Sequence, residues 1–173
     1  FYFQSCVTDF RIKDGALKAI TVNGTEEFET DVTVLAVGHS ARDTFERLLE
    51  RSVPIEKKAF AVGLRIQHPQ RDINAAQYGA PEIEALGAAD YKVTHQCANG
   101  RGVYSFCMCP GGYVVDASSE PGRLAVNGMS YHARDGVNAN SALIVTVTPQ
   151  DFPEDSPLAG IAYQRRLEEA AYR

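Results

Sequence analysis

The chain opens with alternation. Apolar and polar positions trade places from Phe1 onward, and the run breaks at Lys13-Asp14-Gly15-Ala16. That pattern predicts a strand over residues 1–12 ending in a turn, although YFQS near the start also looks like the remnant of a cleavage tag. Ala16 to Val22 reads as the return strand. Asn23-Gly24 then signals a hairpin, because both residues tolerate positive φ. Residues 26–30 supply a third strand and complete a meander. Val32 to Val37 (VTVLAV) is different: it is apolar without alternation. Such a run predicts a strand buried on both faces, as in the parallel sheet of an α/β layer. Gly38 ends it, Ser40 stands where an N-cap would, and residues 41–52 place Phe45, Leu48 and Leu49 at helical spacing up to Pro54.

Beyond Pro54 the pattern is mostly strand. Lys57 to Gln67 predicts one, followed by one or two helical turns at Pro69 to Ala76 and another at Glu82 to Leu86. Tyr91–Cys97, Gly102–Cys109, Tyr113–Ala117, Arg123–Asn127 and Leu143–Val147 predict five more strands, with glycine or proline in the gaps. Asp155 to Arg173 has the spacing of an amphipathic helix. The expected fold class is therefore α+β cut from an α/β parent. Its parts are a meander and strand–helix unit over 1–56, a strand-rich domain over 57–150, and a helix over 151–173 that is cut short. The chain begins in an apparent strand and stops at Arg173 in an apparent helix. Both ends predict an internal fragment of a longer protein, inactive by itself.

Composition narrows the function. With 45% hydrophobic residues in 173, the chain can bury a core. A net charge of −5 and the lack of any basic run argue against DNA or RNA, whose binding needs clustered Lys and Arg. No apolar run is long enough for a membrane span, and the start has no signal-peptide pattern. Cys6, Cys97, Cys107 and Cys109 make no convincing disulfide framework, so they read as reduced thiols of a cytoplasmic protein.

Candidate chemistry concentrates in FCMCPGG and NGMSYHARDG. Cys97, Cys107, Cys109 and His95 are conceivable zinc ligands, but Cys-x-Cys spacing is unlike the usual knuckle, and no metal site is expected. A redox thiol would need a neighbouring cation, for which Arg101 or His95 could serve. The first-ranked reading is that the thiols pack as small apolar groups on a buried strand face. Pro110-Gly111-Gly112 would then make a tight turn whose backbone can face a planar ligand. Asn127-Gly128 is a second turn, leading through Met129 and Ser130 into His132, Arg134 and Asp135. His132 is a general acid–base candidate or simply a solvated histidine. Ser130, His132 and Asp135 lie too close in sequence for a hydrolase triad, and no nucleophile elbow surrounds the serine. Arg65 is either an edge-strand surface residue or a ligand for a carboxylate or phosphate. Gly38, His39 and Ser40 sit where a strand C-terminus meets a helix N-terminus, the usual place for a nucleotide.

Two resemblances sharpen this. Thr30 to Gly38 (TDVTVLAVG), after a three-stranded meander, resembles the strand that crosses near the nucleotide in two-dinucleotide-binding flavoproteins. The longer stretches resemble a bacterial family of FAD-dependent dehydrogenases, often labelled NAD-utilizing dehydrogenase or FAD-dependent protein. They are VLAVGHSARDTFERLLERSVPIEKKAFAVGLRIQHPQ, GRGVYSFCMCPGGYVVDASSEPGRLAVNGMSYHARDG and PLAGIAYQRRLEEAAY. The resemblance covers nearly the whole chain. It implies a flavoprotein oxidoreductase with FAD held by the full-length parent and NAD(P)H as a candidate electron donor. Under it, Gly38 to Ser40, Pro110 to Gly112 and Asn127 to Ser130 are the expected cofactor wall, while Arg65, His132 and Arg134 face a small-molecule substrate. A strand-rich module that binds a macromolecule is the alternative. The chain departs from the family pattern in having no GxGxxG loop, which puts its own hold on FAD in doubt.

Overall fold

The computed structural model describes all residues, 1–173, as two compact units. The first comprises Phe1–Lys57 and Glu154–Ala162. Its sheet is the expected meander: β1 (Val7–Lys13), β2 (Ala16–Val22) and β3 (Glu26–Glu29), antiparallel in that order. Asp14 and Gly15, both at positive φ (53° and 74°), make the first turn, as a two-residue hairpin loop requires. Asn23 and Gly24 repeat this at 51° and 76°. Phe10, Ala19 and Val22 form the buried face. The helix α1 (Arg42–Glu50) packs on β1, and Arg51 just beyond it forms an ion pair with Asp9.

Three expectations for this unit fail. The first strand starts at Val7, not Phe1. The Asn23 side chain explains why: it accepts from Cys6 N at 2.9 Å and donates to Gln4 O at 3.1 Å, taking the backbone groups a strand would spend on its ladder. Val32 to Val37 forms no strand, and Val32 and Val34 are more than 80% exposed. An apolar run becomes a strand only when it pairs with a hydrogen-bonding neighbour, and the sheet of this unit ends at β3 without pairing to it. Ser40 does not cap α1 either. Ala41 holds the N-cap position with no side-chain cap, and Arg42 N donates to the Ser40 carbonyl at 2.8 Å.

The second unit, Lys58–Pro153 and Tyr163–Arg173, holds the rest. An antiparallel sheet runs in the order β4 (Phe60–Pro69), β9 (Asn138–Val147), β6 (Gly102–Cys109), β5 (Thr94–Gln96). A two-stranded ribbon of β7 (Gly112–Asp116) and β8 (Val126–Ser130) accompanies it. Helices with antiparallel sheets make the chain α+β. The β4–β9 ladder is unbroken from Phe60–Val147 to Pro69–Asn138. Gly63 within it is obligatory, since a Cβ there would run into the Leu143 carbonyl.

The helix α2 (Gln70–Tyr78) follows Pro69 directly and ends at Gly79, whose φ of 78° is the usual left-handed stop. Residues 82–86 form a turn rather than a helix. The last helix, α3, spans Ala159–Tyr172. Within this unit Tyr163 meets Phe152 and Phe60, whose own rings stack at 5.4 Å. Further along, Leu124 N donates to Glu168 O, and Arg123 grips Glu169. Those bonds hold Arg123 and Leu124 against α3, which is why β8 begins at Val126 instead of Arg123.

Candidate functional site

The Cys107–Gly112 turn begins with a broken ladder. β6 pairs regularly with β9 as far as Phe106, then resumes only at Cys109–Asn140. Cys107 lies in the bulge at φ 45° and is exposed. The expectation that Cys107 and Cys109 share a buried strand face is therefore overturned, because a bulge destroys the alternation that put both on one side. Cys109 is half-buried and its Sγ points back to the Cys107 carbonyl at 3.3 Å. No three His, Cys, Asp or Glu side chains converge as metal ligands. Arg101 is not a thiol partner. It forks onto the Asp151 carboxylate and donates to Thr146 O at 3.0 Å, and that guanidinium holds the Asp151 carboxyl down at about 2.

Next the turn at Pro110 to Gly112 meets the loop after β8, and glycines make the meeting possible. Gly111, at φ 52°, lies so close to the Arg134 carbonyl that no Cβ could fit. Gly136 returns the contact: its N–H donates to Gly111 O at 3.2 Å, and a Cβ there would strike the same oxygen. A Cβ on Gly112 would sit 2.5 Å from Met129 O and 2.7 Å from Ser130 Oγ. Ser130 Oγ donates to Pro110 O at 2.7 Å, stitching the two turns from the other side.

A buried amide holds the turn from behind. Gly111 N donates to Gln70 Oε1 at 2.7 Å. Gln70 Nε2 in turn donates to Asn74 Oδ1 at 2.9 Å and Ala89 O at 2.8 Å, and Asn74 Nδ2 reaches Pro81 O. These two residues, one helical turn apart on α2, fix both the 80–90 loop and the Pro110–Gly112 turn.

The result is a cleft of about 510 Å³ within this one unit, lined by Met108, Cys109, Pro110 and Gly128 through His132, with Arg134 at its rim. That size suits a small-molecule pocket. No acidic side chain lines it. Arg65 lies beneath: its Nη1 donates to Asn140 Oδ1 at 2.6 Å and to Cys107 O at 3.2 Å, and stands 4.0 Å from Cys109 Sγ. Gly128 is pressed so tightly on that guanidinium and on Asn140 that a Cβ would overlap both. Asn140 is fully buried, and its Nδ2 has no hydrogen-bond partner.

Several sequence candidates therefore meet here: Pro110, Gly128, Met129, Ser130, His132 and Arg134 line the cleft, and Arg65 underlies it. Gly111 and Gly112 are buried in the floor, against protein backbone rather than open space. Asn127 and Gly128 do not form the expected turn: they lie inside β8, paired with Val115 and Val114, and Asn127 Oδ1 accepts from Gly128 N. Gly38, His39 and Ser40 belong to the first unit, where Gly38 has φ 73° and open space around it. The His68 and Tyr91 rings meet at a tilt of 40° with centroids 5.5 Å apart, away from the cleft lining. Sequence reasoning missed Gln70, Asn74 and Asn140, polar residues whose partners lie up to 75 positions away. A second depression, of about 500 Å³ in the first unit, is lined by Asp9, Arg11, Glu27 and Arg51, charges already paired with one another.

Comparison with known proteins adds two findings. Residues 59–173 match the family described as FAD-dependent protein, C-terminal domain-like. A protein of Clostridium beijerinckii (strain ATCC 51743 / NCIMB 8052), described only as uncharacterized, is 54% identical over 173 residues. The alignment takes in 99% of this chain but 32% of the relative, so the chain spans about a third of that protein's length.

Proposed function

The chain belongs to the FAD-dependent protein C-terminal domain-like family, and from that premise we propose that it forms the substrate-side wall of a flavin-dependent oxidoreductase. The observation that carries the reading is the convergence of the Met108–Pro110 and Gly128–Arg134 segments on one cleft. FAD, when bound by the full-length protein, would supply the redox chemistry, with NAD(P)H as the candidate donor. The chain's own residues do not fit a complete FAD. They include no glycine-rich loop for the pyrophosphate. The first turn of α1 carries Asp43, whose charge opposes a phosphate at that helix end, and Arg42 is buried. The role left to this chain is to orient a small substrate. Four unpaired cysteines suit a reducing compartment, and we assign the protein to the cytoplasm on that ground.

The test is the visible spectrum of the full-length protein. A flavin band that survives desalting, then bleaches anaerobically on adding NADH or NADPH, is the expected result. A folded protein that stays colourless after incubation with FAD overturns the assignment. One observation favours a second reading, a module for a macromolecular partner: Phe106, Tyr113, Met129 and Tyr131 are each at least half exposed around the ribbon. Under that reading the apolar ribbon, rather than the cleft, would be the recognition surface.

A further inference from the structure

Arginines in this chain are usually paired. Arg51 with Asp9, Arg101 with Asp151, Arg123 with Glu169 and Arg165 with Glu120 each place a guanidinium on a carboxylate. The two arginines at the cleft do not follow the rule. Every hydrogen bond Arg65 makes runs through Nη1 to neutral acceptors, and no carboxylate pairs with it. Arg134 makes no side-chain bond, and its backbone is held at φ 53° by the Gly111 contact. His132 also lines the cleft, and no acid does. All this occurs in a chain of net charge −5, where carboxylates are the commoner charge. Arg65 is half-buried without a counter-charge, a costly placement that a nearby anion would offset, while Arg134 is exposed with its guanidinium uncommitted.

We infer that the cleft is a binding site for the carboxylate of a small organic acid with an apolar body. Arg134 contacts the carboxylate directly, through a planar fork that matches it. Arg65 is a positioning residue: from under Gly128 and Cys109 it keeps the floor positive without being displaced, because Asn140 and the Cys107 carbonyl fix it. The Asn140 Nδ2 group, fully buried and unpartnered beside Arg65, adds a further partial positive charge near the cleft without lining it. Met108, Pro110, Met129 and Tyr131 form the apolar part of the wall and select an acid with a hydrophobic body over a bare anion. The Ser130 proton is committed to Pro110 O, so Ser130 offers the ligand an acceptor, not a donor. The carboxylate therefore faces Arg134 and the ligand's apolar part faces the methionines.

The inference deepens the substrate-side reading and is tested separately from it. Benzoate is titrated into the full-length protein, followed by calorimetry and by the shift in melting temperature. Benzamide serves as the neutral isostere and inorganic phosphate as the bare anion. The expected result is saturable binding of benzoate, at least tenfold weaker binding of benzamide and of phosphate, and about tenfold weaker benzoate binding in Arg134→Gln. Arg134 is exposed and makes no side-chain bond, so this variant folds. Gly128→Ala, which must push the Arg65 guanidinium aside, weakens benzoate too, whereas Gly102→Ala, whose Cβ would meet only Gln96 Oε1 at an ordinary 3.7 Å, does not. Equal binding of benzoate and benzamide, or unchanged binding in Arg134→Gln, overturns the inference. Phosphate bound more tightly than benzoate overturns the carboxylate assignment. A protein without flavin that still binds benzoate in this pattern sinks the flavoenzyme reading and leaves the anion site standing.

Discussion

Replacing Gly112 with alanine isolates the steric lock that holds the cleft floor. The residue has no positive φ, so the substitution adds a methyl group without backbone strain. That methyl would lie 2.5 Å from Met129 O and 2.7 Å from Ser130 Oγ. To reach even the 3.0 Å limit, the β7–β8 ribbon must part by 3.0 − 2.5 = 0.5 Å at a paired position. Ser130 Oγ must also swing off its 2.7 Å bond to Pro110 O. Overpacking of this kind costs about 2 kcal/mol, and losing the hydrogen bond about 1 kcal/mol more. The sum, about 3 kcal/mol, lowers the melting temperature by roughly 10 °C for a chain this long. Gly102→Ala is the matched control. It too lies at the start of a strand, and its Cβ would meet only Gln96 Oε1, at an ordinary 3.7 Å. With the unfolded chain losing glycine's extra freedom, that variant is neutral or slightly more stable. Thermal unfolding by circular dichroism on both variants decides the matter. Equal melting temperatures for the two would refute the claim that the turns are locked by contact at Gly112.

Two further outcomes follow from the same geometry. Gln70→Leu leaves Gly111 N and Ala89 O without a partner and removes one of the two donors to Asn74 Oδ1, the other being Ala89 N, and should cost about 3 kcal/mol in urea unfolding; an effect below about 1 kcal/mol would show that the amide network does not hold the turn. Acid should destabilise the chain in a defined window. Asp9 and Asp151 are both held at about 2, each chiefly by a hydrogen bond from its arginine. Because these values lie below the ordinary 3.8, the stabilisation is complete above about pH 5 and drains away as pH falls from about 4 through 2. Both pairs are partly exposed, so added salt shrinks the effect. In melting temperature against pH, Asp151→Asn should have a shallower acid limb, and an unchanged limb would refute the assignment.

What the sequence disclosed, and what it withheld, has a physical pattern. The meander was legible because Asp14-Gly15 and Asn23-Gly24 are local signals, and a hairpin needs only its own turn and its own alternation. Val32 to Val37 was misread because an apolar run reports a wish for burial and says nothing of the neighbour that must satisfy it. The first half of β9 was missed for the opposite reason. Asn138, Asn140 and Ser141 look like loop residues, yet Asn140 and Ser141 are wholly buried, with Arg65 and the Phe106 carbonyl as their partners. At the site, Pro-Gly-Gly marked its turn correctly, whereas Asn127-Gly128 did not: both residues lie inside β8, paired with Val115 and Val114. The bulge at Cys107 depends on β9 across the ladder, so no reading of FCMCPGG by itself could show that the two thiols part company.

The same contrast bears on how the cleft works. Its floor is rigid through interactions that carry no net charge: three glycine contacts, the Ser130–Pro110 bond and the Gln70–Asn74 amides. Its charges, Arg65 and Arg134, take no part in an ion pair. Elsewhere in this unit the assignment is reversed, and ion pairs do the fastening, as where Glu120 binds both Arg123 and Arg165. A scaffold that used Arg134 as a fastener would lose either its fold or its ligand whenever the other was satisfied. Keeping uncharged partners for structure and leaving the Arg134 guanidinium unspent lets an anion enter and leave without disturbing the turns. That separation is the physical reason to regard this cleft, rather than the internally paired depression beside Asp9 and Arg51, as the functional one.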